Sequence, residues 1–179
     1  MAMAASSAAQ HEQPGSPMTR APLLVLAVGN PSRGDDALGP ALLERLRAAG
    51  MGAASDVELL TDFQLQVEHA LDLDGRRAVL FVDAARPGTT RGVCIEPIYA
   101  DARLPPASHA LRAQAVLHVA VQLAGHAPPA WQLAMEGEHF ALGEGLSPMA
   151  ERHLACAVDM AMGWLQTRRC QQFSSKCVT

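Results

Sequence analysis

The chain has 179 residues, 49% of them apolar and 18% charged, and 14 Lys and Arg against 18 Asp and Glu give a formal net charge of −4. That length suits one domain and that apolar content supplies a core, which excludes a disordered chain. The acidic balance, with only four Phe, two Trp and one Tyr, argues against a nucleic-acid binder and leaves small-molecule, metal or protein partners.

Residues 1–20 are rich in Ala and Ser, with neither a basic start nor an apolar stretch, so they read as a disordered extension and not as a secretory signal. The apolar run 23–28 (LLVLAV) stops at Gly29-Asn30-Pro31 and reads as a central strand covered on both faces. Leu38, Leu42, Leu43 and Leu46 recur at helical spacing, and Pro40 places the start of regular helix near residue 40, behind a lead-in turn from Asp35 to Gly39. A second strand is expected at 57–60, a helix from Gln64 to Leu73 and a third buried strand at 78–82. Beyond these come a strand at 92–98, an apolar helix at 109–124, a strand at 131–136 and a last helix at 148–167 before a polar tail over 169–179. The stretch from Ala113 to Met135 carries no Asp, Glu, Lys or Arg, but Pro128 and Pro129 split it into pieces too short to span a bilayer. The four cysteines form no C-x-x-C pair, and a domain of this size needs no staples, so they are expected as reduced thiols in a cytoplasm.

Alternating strands and helices predict an α/β domain over 21–168, a mostly parallel twisted sheet of about five strands with helices on both faces. A strand order beginning 2-1-3 opens a crevice at the carboxyl ends of the first and third strands, where ligands bind in such sheets. Two segments arrive there: the Gly29–Gly39 loop and the Asp83 end of the third strand. Gly29-x4-Gly34 is not a phosphate loop, because Asp35-Asp36 stands where Lys-Ser/Thr is required. The two adjacent carboxylates either cap the following helix or give one of their number to a metal. Asp83, after a buried strand, needs a partner, either a structural hydrogen bond or an ion. Asp62 either caps the next helix or stands at the mouth of the site. His109 precedes the apolar helix 109–124 as cap or ligand; His118, nine positions on, faces the other way and cannot share an ion with it. His126, His139 and His153 read as surface residues.

The string Leu23–Pro40 (LLVLAVGNPSRGDDALGP), with Asp62 after VELLT, Asp83 in LFVDAA and His109 in SHALRA, resembles the hydrogenase maturation proteases, endopeptidases that trim the C-terminus of the nickel-iron hydrogenase large subunit. The resemblance runs from about Leu23 to Leu165. It implies a metal site formed by Asp36, Asp83 and His109 that senses nickel carried by the substrate, with zinc or another divalent ion able to substitute. Two departures stand out: the family often has Glu where this chain has Asp36, and Gly-Gly where it has Phe63-Gln64. The string DFQLQVEHALDL resembles the subgroup serving soluble NAD-reducing hydrogenases.

Two carboxylates and an imidazole at a switch point form an O,O,N set with open positions, suited to nickel, zinc, iron or manganese. The expected activity is that of a cytoplasmic, monomeric endopeptidase acting on a nickel-loaded large-subunit precursor, with no nucleic-acid or membrane partner. Without an obvious Ser or Cys nucleophile, water is the expected attacker and Asp36 or Asp62 the base. The alternatives are a non-catalytic nickel-dependent binding module or chaperone using the same ligands, and a nucleotide-binding regulator.

Overall fold

The computed structural model describes residues 20–53, 56–103 and 111–174. The expected extension over residues 1–20 lies outside them except for Arg20. Five strands, β1 (Leu23–Val28), β2 (Val57–Asp62), β3 (Ala78–Ala85), β4 (Val93–Ile98) and β5 (Ala130–Glu136), form one sheet in the order β2-β1-β3-β5-β4. Only β4 runs antiparallel. It is an edge strand, which is why it tolerates Pro97. The helices are α1 (Leu38–Ala48), α2 (His69–Asp72), α3 (Ala113–Ala124) and α4 (Pro148–Ser174). None is long and apolar enough to cross a membrane.

The pleat sorts the core into two layers. Leu23, Val25, Ala27, Leu80 and Val82 pack under α1 and α4, while Leu24, Leu26, Val79 and Phe81 pack under α2 and α3. All six residues of β1 are buried, as its unbroken apolar run requires. The chain leaves β1 for α1 on one face and comes back to the sheet through α3 on the other, so the switch point lies between β1 and β3 as expected.

Several boundaries differ for identifiable reasons. A 3-10 turn over Gly34–Ala37 leads into α1 at Leu38, and Pro40 falls inside the first helical turn, where its missing N–H has no intrahelical partner to lose. The predicted helix from Gln64 to Leu73 shrinks to the four residues of α2. Bonds of the i to i−3 kind dominate there, and the His69 ring takes the Gln66 N–H at 2.9 Å. Strand β3 continues through Asp83 to Ala85, so that carboxylate stands on the strand and not after it. Helix α3 starts at Ala113; the predicted start at 109 lies outside the described residues. Helix α4 runs six residues into the supposed tail, because Arg168 stacks on Trp131 at 3.9 Å and Arg169 holds Asp56 at 2.6 Å. Cys94, Cys156 and Cys170 are free thiols.

Candidate functional site

Two glycines lay the loop after β1 directly on the strand end. A Cβ on Gly29, whose φ is +143°, would lie 2.0 Å from the Asp36 carbonyl oxygen, and one on Gly39 would lie 2.3 Å from that of Val28. The loop can close only with glycine at both places.

Its two carboxylates divide the roles that the sequence left open. Asp35 is fully buried and accepts four hydrogen bonds at 2.7–3.0 Å, from the Glu138, His139 and Ser147 amides and the Ser147 hydroxyl. Burial pushes its pKa up, but those bonds outweigh it and hold the carboxyl below its usual range. Ser147 Oγ in turn accepts from Ala150 N and caps α4. Asp35 thus caps no helix of its own; it ties the loop after β1 to the loop before α4. Asp36 is the half-buried member of the pair. Its Oδ2 accepts the Asn30 N–H at 2.9 Å, and it lines a cavity of about 460 Å³ with Arg33, Arg86 and Phe140.

Asp83 occupies the α3 side of the same strand end. It lines a cavity of about 510 Å³ whose walls include Val28, Phe81, Cys94 and Gln114. Ala84 belongs to the walls of both cavities, so the two meet around the end of β3. Asp83 retains some contact with solvent but is densely surrounded by protein. Burial raises its pKa to about 7, the Ala84 N–H opposes the rise, and the negative charge of Asp36 adds to it. A buried carboxylate with a second negative charge near it at a strand end suits a cation, whose charge would favour ionised Asp83.

Asp62 ends β2 directly opposite Val28 in the ladder, on the α2 and α3 side of the sheet. Its Oδ1 accepts the Phe63 N–H at 2.6 Å, and Oδ2 lies 3.4 Å from Nε2 of His69, whose side chain is only 8% exposed. The structure therefore brings Asp36 and Asp83 to one strand end and sets Asp62 beside it. His109 lies outside the described residues, and among those described no three His, Cys, Asp or Glu side chains gather as a metal-holding group.

Sequence reasoning passed over His69, although a histidine between Leu65, Ala70 and Leu73 is an imidazole placed on a buried face. It also read His153 as a surface residue. His153 is half-buried, and its Nδ1 lies 2.6 Å from the Glu136 carbonyl oxygen. The Glu136 carboxylate accepts the Gly88 and Gly92 amides, which fixes the β3–β4 turn that carries Arg86; those two bonds lower its pKa.

No family model and no curated protein matches the sequence. Solved structures do match the fold. The hydrogenase maturating endopeptidase HybD from E. coli superposes with a TM-score of 0.65 at 22% identity, over 82% of this chain and 93% of that one. The NiFe hydrogenase maturation protease HycI from Thermococcus kodakarensis gives 0.62 at 21% identity, over 83% and 93% of the two chains. Hydrogenase 2 maturation peptidase from a Thaumarchaeota archaeon gives 0.57 at 20%, over 80% and 97%. At such identities the likeness is one of architecture: the chain has the fold found in hydrogenase maturation proteases.

Proposed function

We propose that the chain is an endopeptidase that removes the C-terminal extension of a nickel-iron hydrogenase large-subunit precursor after nickel has been inserted. The observation that carries this reading is the carboxylate pair Asp36 and Asp83 at the switch point, in a fold that hydrogenase maturation proteases share. With His109 these groups offer the substrate's nickel two oxygens and one nitrogen, and zinc or another divalent ion can replace it. The set lacks the thiolates of tight nickel or zinc sites, so the free enzyme purifies largely without metal. Docking of the metal-bearing segment then places the adjacent peptide bond in the cleft, so that metal insertion becomes a checkpoint before trimming. The enzyme acts as a cytoplasmic monomer, and the likeness of DFQLQVEHALDL points to a soluble NAD-reducing hydrogenase as the client.

The test uses chelator-stripped enzyme and precursor prepared with and without nickel, with mass loss as the readout. Only nickel-loaded precursor is expected to shorten. Equal cleavage of both precursors refutes the checkpoint. Cleavage that appears only when metal is added to the enzyme identifies an ordinary metallopeptidase instead. Complex formation with no mass loss identifies a binding module.

A further inference from the structure

We infer that His69 is a positioning residue for a water-activating base at Asp62, an inference that rests on the endopeptidase reading. The Gln66 N–H donates to Nδ1 of His69 at 2.9 Å, so Nδ1 must carry a lone pair and the ring proton of the neutral imidazole sits on Nε2. Nε2 faces the Asp62 carboxylate, 3.4 Å from Oδ2, while the Phe63 N–H holds Oδ1 at 2.6 Å. Each oxygen thus has one protein neighbour, the amide at Oδ1 and the imidazole at Oδ2. The carboxylate is therefore held in one orientation and keeps lone pairs free for a third group, as a base must. The imidazole is held in place, because its side chain is 8% exposed and Nδ1 accepts the Gln66 N–H.

The ladder supplies the spacing. Asp62 stands opposite Val28, and because Ala27 is paired with Val82, the next residue in register across from Val28 is Asp83. Asp62, Val28 and Asp83 thus form a row across three strands on one face of the sheet, with the outer backbones two strand spacings, roughly 10 Å, apart. That row leaves room between the two carboxylates for a peptide unit with a water beside it. Asp62 takes one proton from the water as its oxygen bonds to the scissile carbonyl carbon. When the C–N bond breaks, the same proton passes from the Asp62 carboxyl to the departing amine nitrogen. Water is consumed, and a carboxylic acid and an amine are released.

Two experiments on the full chain test the role of His69. Long-range proton–nitrogen NMR at neutral pH is expected to show His69 as the Nε2–H tautomer; an Nδ1–H tautomer overturns the geometry whatever the substrate. Cleavage of nickel-loaded precursor is then measured for His69→Leu, His69→Gln and Asp62→Ala, each checked for a cooperative thermal transition. His69→Leu is expected to lower kcat by about 100-fold with KM nearly unchanged, the lower end of what a positioned base supplies. His69→Gln keeps a donor at the Nε2 position and recovers at least about a tenth of wild-type kcat. In the Asp62→Ala background, His69→Gln causes no further loss, because the group it positions is gone. Equal losses in the Leu and Gln variants, a loss confined to KM, or additive losses in the double variant refute the role. If His69→Leu does not fold, the Gln variant and the double-variant cycle still decide. Wild-type enzyme that cleaves no precursor refutes the endopeptidase reading itself, while the NMR result stands apart from it.

Discussion

Asp83→Asn is expected to make the protein more stable at neutral and alkaline pH while abolishing precursor cleavage. A carboxyl whose pKa rises from 3.8 to about 7 costs the folded state up to about 4 kcal/mol when ionised, at about 1.4 kcal/mol for each tenfold change in proton affinity. Asp83 retains some solvent contact, and screening there reduces the figure to about 2 kcal/mol. Below pH 3.8 folded and unfolded chains both hold the proton, and the group contributes nothing. Between 3.8 and about 7 the folded chain retains a proton that the unfolded chain has lost, so wild-type stability falls as pH rises. The asparagine amide has the shape of the protonated acid and stays neutral throughout, so the advantage of the variant grows over the same window. Urea unfolding of chelator-treated proteins at pH 4, 6 and 8 measures it. The gap is expected to be a few tenths of a kcal/mol at pH 4 and about 2 kcal/mol at pH 8, or roughly 4–8 °C in Tm for a chain of this size. A gap that is constant with pH, or a variant less stable than wild type at pH 8, refutes the claim that burial and Asp36 strain this carboxylate.

Asp35→Ala strands the buried Ser147 amide and hydroxyl and the part-buried Glu138 and His139 amides, and is expected to cost about 3 kcal/mol in denaturant unfolding, with faster amide exchange at Glu138, His139 and Ser147. Asp62→Asn keeps an acceptor for the Phe63 N–H or for His69 but loses the charge; precursor cleavage is expected to fall by about 100- to 10,000-fold with less than about 1 kcal/mol of lost stability, and full activity would reduce Asp62 to a structural acceptor.

The central strands were legible in the sequence because their apolar runs are buried on both faces, and the parallel sheet followed from alternation and handed crossovers, while its 2-1-3 start entered only as a condition that the structure meets. Periodicity misled over Gln64–Leu73, where the expected ten-residue helix becomes the four residues of α2 behind turns closed by i to i−3 bonds and by the Gln66 N–H on the His69 ring. It misled again where charged residues pack, since Arg168 and Arg169 extend α4 by a cation–aromatic contact and an ion pair that hydropathy does not register. At the site, residue types indicated that Asp35, Asp36 and Asp83 converge near one strand end. They could not tell which of the adjacent pair is buried, because that depends on Ser147, 112 positions away.

The tie between Asp35 and Ser147 also sets when the site is completed during synthesis. A nascent chain that has emerged as far as α3 holds β1, β2 and β3, and with them Asp36, Asp62 and Asp83. It still lacks β5, against which β3 pairs, and the partners that fill the four hydrogen bonds of Asp35. Until residues 138–147 are made, the loop that aims Asp36 lacks its anchors on the far side, the bonds to Glu138, His139, Glu144 and Ser147. A partial translation product therefore carries Asp36, Asp62 and Asp83 without the frame that aligns them, and that frame is complete only when the chain has reached the start of the last helix.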